Sequence, residues 1–238
     1  MFAGPNGSGK SELKKYLSAP LLGVYLNPDE VEDKIRQHGF LDFSAYQVTP
    51  AVAEVLEYFQ NSTRLKKGMA DGLTMDGSRL RFGEIKVNSY FAAVAVDFIQ
   101  QKLLEKGVSF TFETVMSHPS KVDLLEQAQR LGYRTYLYYV ATEDPAINIS
   151  RVRNRVQQGG HDVPEDRIRS RYHGSLDLLN AAIRHTNRAY IFDNSSFSET
   201  KDHTWIAEIT DGRELELKCN QIPAWFKHSV MDKISKSA

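Results

Sequence analysis

The chain has 238 residues, of which 30 are basic, 30 acidic and one a cysteine, Cys219. Balanced charge excludes a general polyanion binder, so no nucleic-acid partner is expected, and a lone cysteine excludes an internal disulfide framework and suits a reducing compartment. No apolar run of about 18 residues and no basic-then-apolar leader is seen, so no membrane span or export signal is expected and the cytoplasm is the default location.

Short apolar runs alternate with amphipathic stretches, which predicts an α/β fold: a parallel sheet flanked by helices, in a single domain over residues 1–238. The sequence opens MFAGPNGSGKS. Met1-Phe2-Ala3 is expected to be the stub of the central first strand, either short as it stands or cut by the chosen start. Gly4, Pro5, Asn6, Gly7, Ser8, Gly9, Lys10 and Ser11 complete the G-x-x-x-x-G-K-S spacing of a Walker A phosphate loop. Glycines let backbone N–H groups converge on phosphate without a side-chain clash. Lys10 suits the β- and γ-phosphates of ATP, and Ser11 suits Mg²⁺. The following SELKKYLS is expected to be a helix with its positive end at the phosphates.

Leu21 to Asn27 (LLGVYLN) reads as a buried strand ending in Asn27-Pro28-Asp29-Glu30. Ligands of open parallel sheets lie beyond the carboxyl ends of strands. Asp29 is therefore a candidate base for an attacking hydroxyl, and a plain helix start is the alternative. Residues 38–88 exceed any ordinary βα connection and read as a mainly helical insertion, with a helix near Thr49 to Lys67 and then DGLTMDGSRLRFGE. Tyr90 to Lys106 carries apolar residues at helical spacing.

Val108 to Glu113 (VSFTFE) reads as a strand, and a carboxylate at its end is costly to bury without a partner. A substrate hydroxyl or metal-bound water is one partner for Glu113, and a core salt bridge is the alternative. His118 reads as a cap or surface group. Pro119 opens a helix, Tyr133 to Ala141 is a strand, and Pro164-Glu165-Asp166 opens a further helix. Six arginines fall between Arg151 and Arg171, on either side of Gly159-Gly160. Such a glycine-jointed lid suits charge stabilisation on a transferring phosphoryl group, and a solvated basic face is the alternative. Ala189 to Asp193 is the last core strand. In nucleotide kinases of this topology the loop after it lies beside adenine, which makes Asn194 and Ser195 candidate contacts, with a simple turn as the alternative. Asp211-Gly212 inside WIAEITDGRELELK signals a C-terminal β-hairpin.

GPNGSGKS, NPDE, FET, RVRNRVQQGGHDVP and YIFDNSS, in that order, resemble the zeta-toxin family of P-loop kinases. The resemblance implies an ATP- and Mg²⁺-dependent kinase acting on a hydroxyl, with a UDP-sugar as the acceptor class and an antitoxin protein as a possible partner. By position it makes Lys10 and Ser11 the phosphate and metal residues, Asp29 the base, Glu113 a contact to acceptor or metal-bound water, and Arg155 a lid arginine on the γ-phosphate. The chain departs from the toxins where a second arginine is expected: Gly160-His161 stand there, leaving His161, Arg167 or Arg171 to complete the site. The residues after Glu113 and the insertion at 38–88 also differ, and they bear on the acceptor. A nucleotide-regulated interaction protein without a small-molecule acceptor is the rival reading.

Overall fold

The computed structural model describes residues 1–196 and 203–234. Its strands are β1 (Phe2–Ala3), β2 (Val24–Leu26), β3 (Phe40–Asp42), β4 (Thr74–Asp76), β5 (Arg79–Arg81), β6 (Phe110–Thr114), β7 (Tyr136–Ala141), β8 (Arg188–Asp193), β9 (Thr204–Thr210) and β10 (Glu214–Leu217). The helices that matter below are α1 (Ala19–Leu22), α2 (Pro28–His38), α3 (Val52–Gln60), α4 (Ser89–Glu105), α5 (Ser120–Arg130), α6 (Pro145–Gln157) and α7 (Glu165–Arg184). The chain divides into two compact units, residues 1–17 with 113–238 and residues 18–112.

In the first unit the strand order is β10-β9-β8-β7-β1-β6. Strand β1 is only two residues long, yet it pairs parallel on both sides, Phe2 with Glu113 and Tyr138, Ala3 with Thr114 and Tyr139. A two-residue strand is secure here because both neighbours are longer and its side chains are fully buried. Strands β7 and β8 continue the parallel sheet. Strands β9 and β10 add the antiparallel hairpin predicted from Asp211-Gly212, where both residues take positive φ. Burial alternates or runs unbroken along β7 and β8, as a sheet packed on its faces requires. Tyr139 is fully buried, and its hydroxyl lies 3.0 Å from the Ser175 hydroxyl of α7. Helix α6 packs on α7 through Ile149, Val152 and Ile168, with Val156 and Val163 at the margin.

The second unit pairs β2 with the start of β6 in parallel, Val24 opposite Phe110 and Leu26 opposite Phe112. Leu21 and Leu22 are not part of that strand, as the LLGVYLN run had suggested. They close the short helix α1, and Gly23, at φ +58° against the Ser109 carbonyl, turns the chain into β2. The insertion is mixed rather than mainly helical. Helix α3 is nine residues long, and the Asp76-Gly77-Ser78 turn joins two short strands into the antiparallel sheet β3-β5-β4. Asp42 ties that sheet together. Its carboxylate accepts from Ser44, Ser78 and Arg79, and the two serine hydroxyls lead in holding its pKa down at about 2.

Helix α4 is the core element of this unit, with ten buried residues in its 17. Phe98 meets the edges of Phe43 and Tyr58 at ring-centroid distances of 5.5 and 5.1 Å. Replacing Phe98, 1% exposed, with Ala is expected to cost about 3–5 kcal/mol in denaturant unfolding. Leu131→Ala, at a residue 55% exposed, is expected to change stability by less than about 0.5 kcal/mol.

Candidate functional site

The glycine loop leaves β1 between the ends of its two neighbours. The Gly4 amide donates to the Thr114 carbonyl at 3.3 Å. Gly4 has φ +144°, and a Cβ there would overlap the Val140 carbonyl oxygen. The loop can therefore pass β7 only with glycine at this position. Gly7, at φ +74°, approaches α6 as closely: a Cβ would lie 2.6 Å from the Asn148 carbonyl oxygen. Ser8 closes a turn on Pro5, N to O 3.2 Å, and is fully buried.

The loop ends in a 3₁₀ helix over Lys10–Tyr16, capped by left-handed Gly9, where the sequence suggested an ordinary helix. Its i to i+3 bonds run from Glu12 to Gly9 and from Leu17 to Lys14. Leu17 then turns extended, so the coil stops after seven residues. Leu13 anchors it with no exposure.

Three charged or polar side chains meet at this loop. Lys10 Nζ donates to the Gly4 and Pro5 carbonyls at 2.8 and 2.9 Å. The Ser11 hydroxyl donates to Glu113 Oε2 at 3.2 Å, so the structure brings these two predicted residues together. Glu113 is 7% exposed. Ser11 and Glu113 offer adjacent hard oxygen donors, the ligand chemistry that fits Mg²⁺. Among the described residues, no group of three His, Cys, Asp or Glu side chains could hold a metal without other ligands.

Asparagines clamp the loop from outside. Asn194 Nδ2 donates to the Ser8 carbonyl at 2.8 Å, so its side chain supports the loop. Ser195 belongs to a turn: its amide and hydroxyl donate to Asp193 at 3.0 and 2.7 Å, and its hydroxyl accepts from the Glu143 amide at 2.8 Å. The sequence reading missed Asn148, whose amide donates to the Asn6 carbonyl at 2.6 Å. No short motif marks it, because its role is set by packing.

The lid arginines divide. Arg151 is half-buried and donates to the Asn194 and Ser196 carbonyls at 2.8 and 3.2 Å. Burial lowers its pKa, against the opposing charge of Asp193. Arg155 is exposed and folds back on its own joint, donating to the His161 carbonyl at 2.8 Å, with Gly160 packed against its side chain. His118 is a helix-start group, accepting from the Ser120 amide at 3.3 Å.

Asp29 lies in the second unit, in the first turn of α2. The cap there is Asn27, whose side chain accepts from the Asp29 amide at 2.9 Å. The Asp29 carboxylate is thus not the cap, and the residue is exposed. The same unit holds a cleft of about 800 Å³ between α3 and α4, lined by Glu54, Glu57, Tyr58, Arg64 and Asp97 among others. Arg64 and Asp97 pair at 3.0 Å within it.

His203, at the foot of β9, lies against the glycine loop at Gly9. It is 8% exposed, its Nδ1 lies 3.5 Å from the Tyr16 hydroxyl, and its Nε2 is buried facing Gly9. Tyr16 stacks on Phe192 at 5.4 Å beside it. Burial, aided by Lys15, lowers the His203 pKa.

Residues 85–203 match the family description "Zeta toxin"; the match starts after the glycine loop and runs from the approach to α4 to the start of β9. An uncharacterised protein of Haemophilus influenzae is 26% identical over 171 residues, 72% of this chain and 89% of that one. Among solved structures, AvrRxo1-ORF1 with AvrRxo1-ORF2 and sulphate ions gives a TM-score of 0.51 at 13% identity. AvrRxo1-ORF1 with ORF2 and ATP gives 0.50 at 14%. Each covers 91% of this chain, and the chain spans 60% of the length of those structures. At such identities the likeness is one of fold.

The neutral His203 gives a pH prediction. Its folded pKa lies below the unfolded value of 6.5, so the folded state takes its proton later than the unfolded chain. The stability it contributes is complete above pH 6.5 and falls as the pH drops below that value. Thermal melts between pH 8 and 5 are expected to fall more steeply for the wild type than for His203→Gln.

Proposed function

Because the chain belongs to the zeta toxin family, we propose that it is an ATP-dependent phosphotransferase that phosphorylates an alcohol group. The observation that carries this reading is the Ser11–Glu113 contact at the mouth of the glycine loop. It sets a hydroxyl and a buried carboxylate, oxygen donors that suit Mg²⁺, at a loop whose Lys10 ammonium donates to the Gly4 and Pro5 carbonyls. When bound, Mg²⁺ neutralises charge developing on the transferring phosphoryl group. The chain's own parts follow from that. The N–H groups of the loop cradle the phosphates, and Lys10 leaves its carbonyls to contact the β- and γ-phosphates. Ser11 would ligate the cation, Glu113 would orient a water or the acceptor, and Arg155 would leave the His161 carbonyl for the γ-phosphate. Asp29 accepts the proton of the attacking hydroxyl.

The acceptor class in this reading is a UDP-sugar, carried over from the family resemblance. A protein partner acting as antitoxin is supported by the fold neighbour, itself a complex of two proteins. Among the described residues no helix is long and apolar enough to cross a membrane.

Incubation with ATP, Mg²⁺ and a metabolite panel that includes UDP-sugars, read by mass spectrometry, is expected to reveal one metabolite gaining a phosphate. Lys10→Ala is expected to lower turnover by about 10²- to 10³-fold. Asp29→Asn is expected to lower transfer by about 10²- to 10⁴-fold while nucleotide affinity stays within about threefold. ATP loss with no phosphorylated product would favour a nucleotide-regulated interaction protein, and unchanged transfer by Asp29→Asn would remove Asp29 as base.

A further inference from the structure

Asn148 is fully buried and tied at both ends of its amide. Its Nδ2 donates to the Asn6 carbonyl at 2.6 Å, and its Oδ1 accepts from the Thr142 hydroxyl. Its own carbonyl packs against Gly7. Three residues along α6, Arg151 donates to the Asn194 carbonyl, and Asn194 returns to the loop through the Ser8 carbonyl. The result is a closed circuit: Asn6, Asn148, helix α6, Arg151, Asn194, Ser8.

Two consequences follow from elementary geometry. In a trans peptide the C=O of one residue and the N–H of the next point in opposite directions. Fixing the Asn6 carbonyl from outside therefore turns the Gly7 N–H to the opposite side, and fixing the Ser8 carbonyl does the same for Gly9. Asn148 and Asn194 thus set the direction of two loop donors. The second consequence concerns the lid. Positions 148, 151 and 155 are spaced i, i+3, i+7 and share one face of α6. Asn148 fixes the rotation of that helix against the loop before either arginine is placed.

We propose that Asn148 is a positioning residue for phosphoryl transfer, coupling the phosphate loop to the lid arginines so that loop donors and guanidinium groups converge on one terminal phosphate. This inference rests on the proposed binding of a nucleotide at Gly4–Ser11. The test is the preference for triphosphate over diphosphate, the ratio of the ADP and AMP-PNP dissociation constants measured calorimetrically with Mg²⁺. A residue that only stabilises the fold would lower stability or both affinities together and leave the ratio alone.

The wild type is expected to prefer the triphosphate analogue by about tenfold or more, equivalent to about 1.4 kcal/mol. Asn148→Asp keeps the size and the acceptor for Thr142 but loses the donor to Asn6, and it is expected to lose most of that preference. Arg155→Ala is expected to do the same, and the double variant to be no worse than either alone, because one acts through the other. Should Asn148→Asp melt below the assay temperature, Thr142→Val serves: it leaves the Asn148 amide in place without its orienting hydroxyl and is expected to give a partial loss. A wild-type ratio in a folded Asn148→Asp or Thr142→Val, or additive losses in the double variant, overturns the proposal. If neither nucleotide binds the wild type, the nucleotide reading itself falls and this inference with it. Binding that Lys10→Ala abolishes, with an unchanged ratio in Asn148→Asp, removes only the role of Asn148.

Discussion

At Gly4 the chain comes off a two-residue strand so close to the Val140 carbonyl that no side chain fits. That crowding is forced by the position of β1, which pairs with β6 on one side and β7 on the other. The chain must leave the sheet between the ends of two strands, and only a glycine with positive φ can make the exit. Everything at the candidate site depends on it. The exit delivers the loop beside Glu113 at the end of β6 and beside α6, which follows β7. A sheet with β1 at its edge would bring the same eight residues to neither.

The electrostatics follow from burial. Glu113 sits at the loop with little exposure, and a carboxylate removed from water needs compensation. The Ser11 hydroxyl supplies part of it. The loop itself carries Lys10 and is tied, through Asn194, to Arg151. Both bases already bind backbone carbonyls. A polyphosphate would have to draw Lys10 off the Gly4 and Pro5 carbonyls, so the donors oriented before it arrives are the N–H groups of the loop, the preorganisation phosphoryl transfer relies on. Arg155 must move as well before it can serve a phosphate at the loop, because it is exposed and bound to the lid joint.

Residues that act through local chemistry were legible in the sequence. The short first strand, the hairpin at Asp211-Gly212 and the helix at α4 all appear as expected, while the direct hydrogen bond between Ser11 and Glu113 was not foreseen. Elements set by longer-range packing were not. Leu21 and Leu22 looked like the start of a strand because they are apolar, but Gly23 breaks the run. The insertion looked helical because the Asp76-Gly77 turn is flanked by strands only three residues long, too short to show alternation. Asn148 was silent because an asparagine in the second turn of a helix looks unremarkable until the loop beneath it is visible. Asn194 was read as a candidate contact to adenine, and its hydrogen bond to the loop was not foreseen: its side-chain amide donates to the Ser8 carbonyl.

The central claim is that Gly4–Ser11 is a phosphate cradle whose lysine and serine are poised for a nucleotide and its cation. A crystal structure of the protein with AMP-PNP and Mg²⁺ tests it most directly. The account predicts the β- and γ-phosphates inside the loop, Lys10 Nζ moved from the Gly4 and Pro5 carbonyls to a phosphate oxygen, and Ser11 Oγ on the cation beside Glu113. Nucleotide bound elsewhere, or bound at the loop with Lys10 still on those two carbonyls and Ser11 still on Glu113, would contradict it.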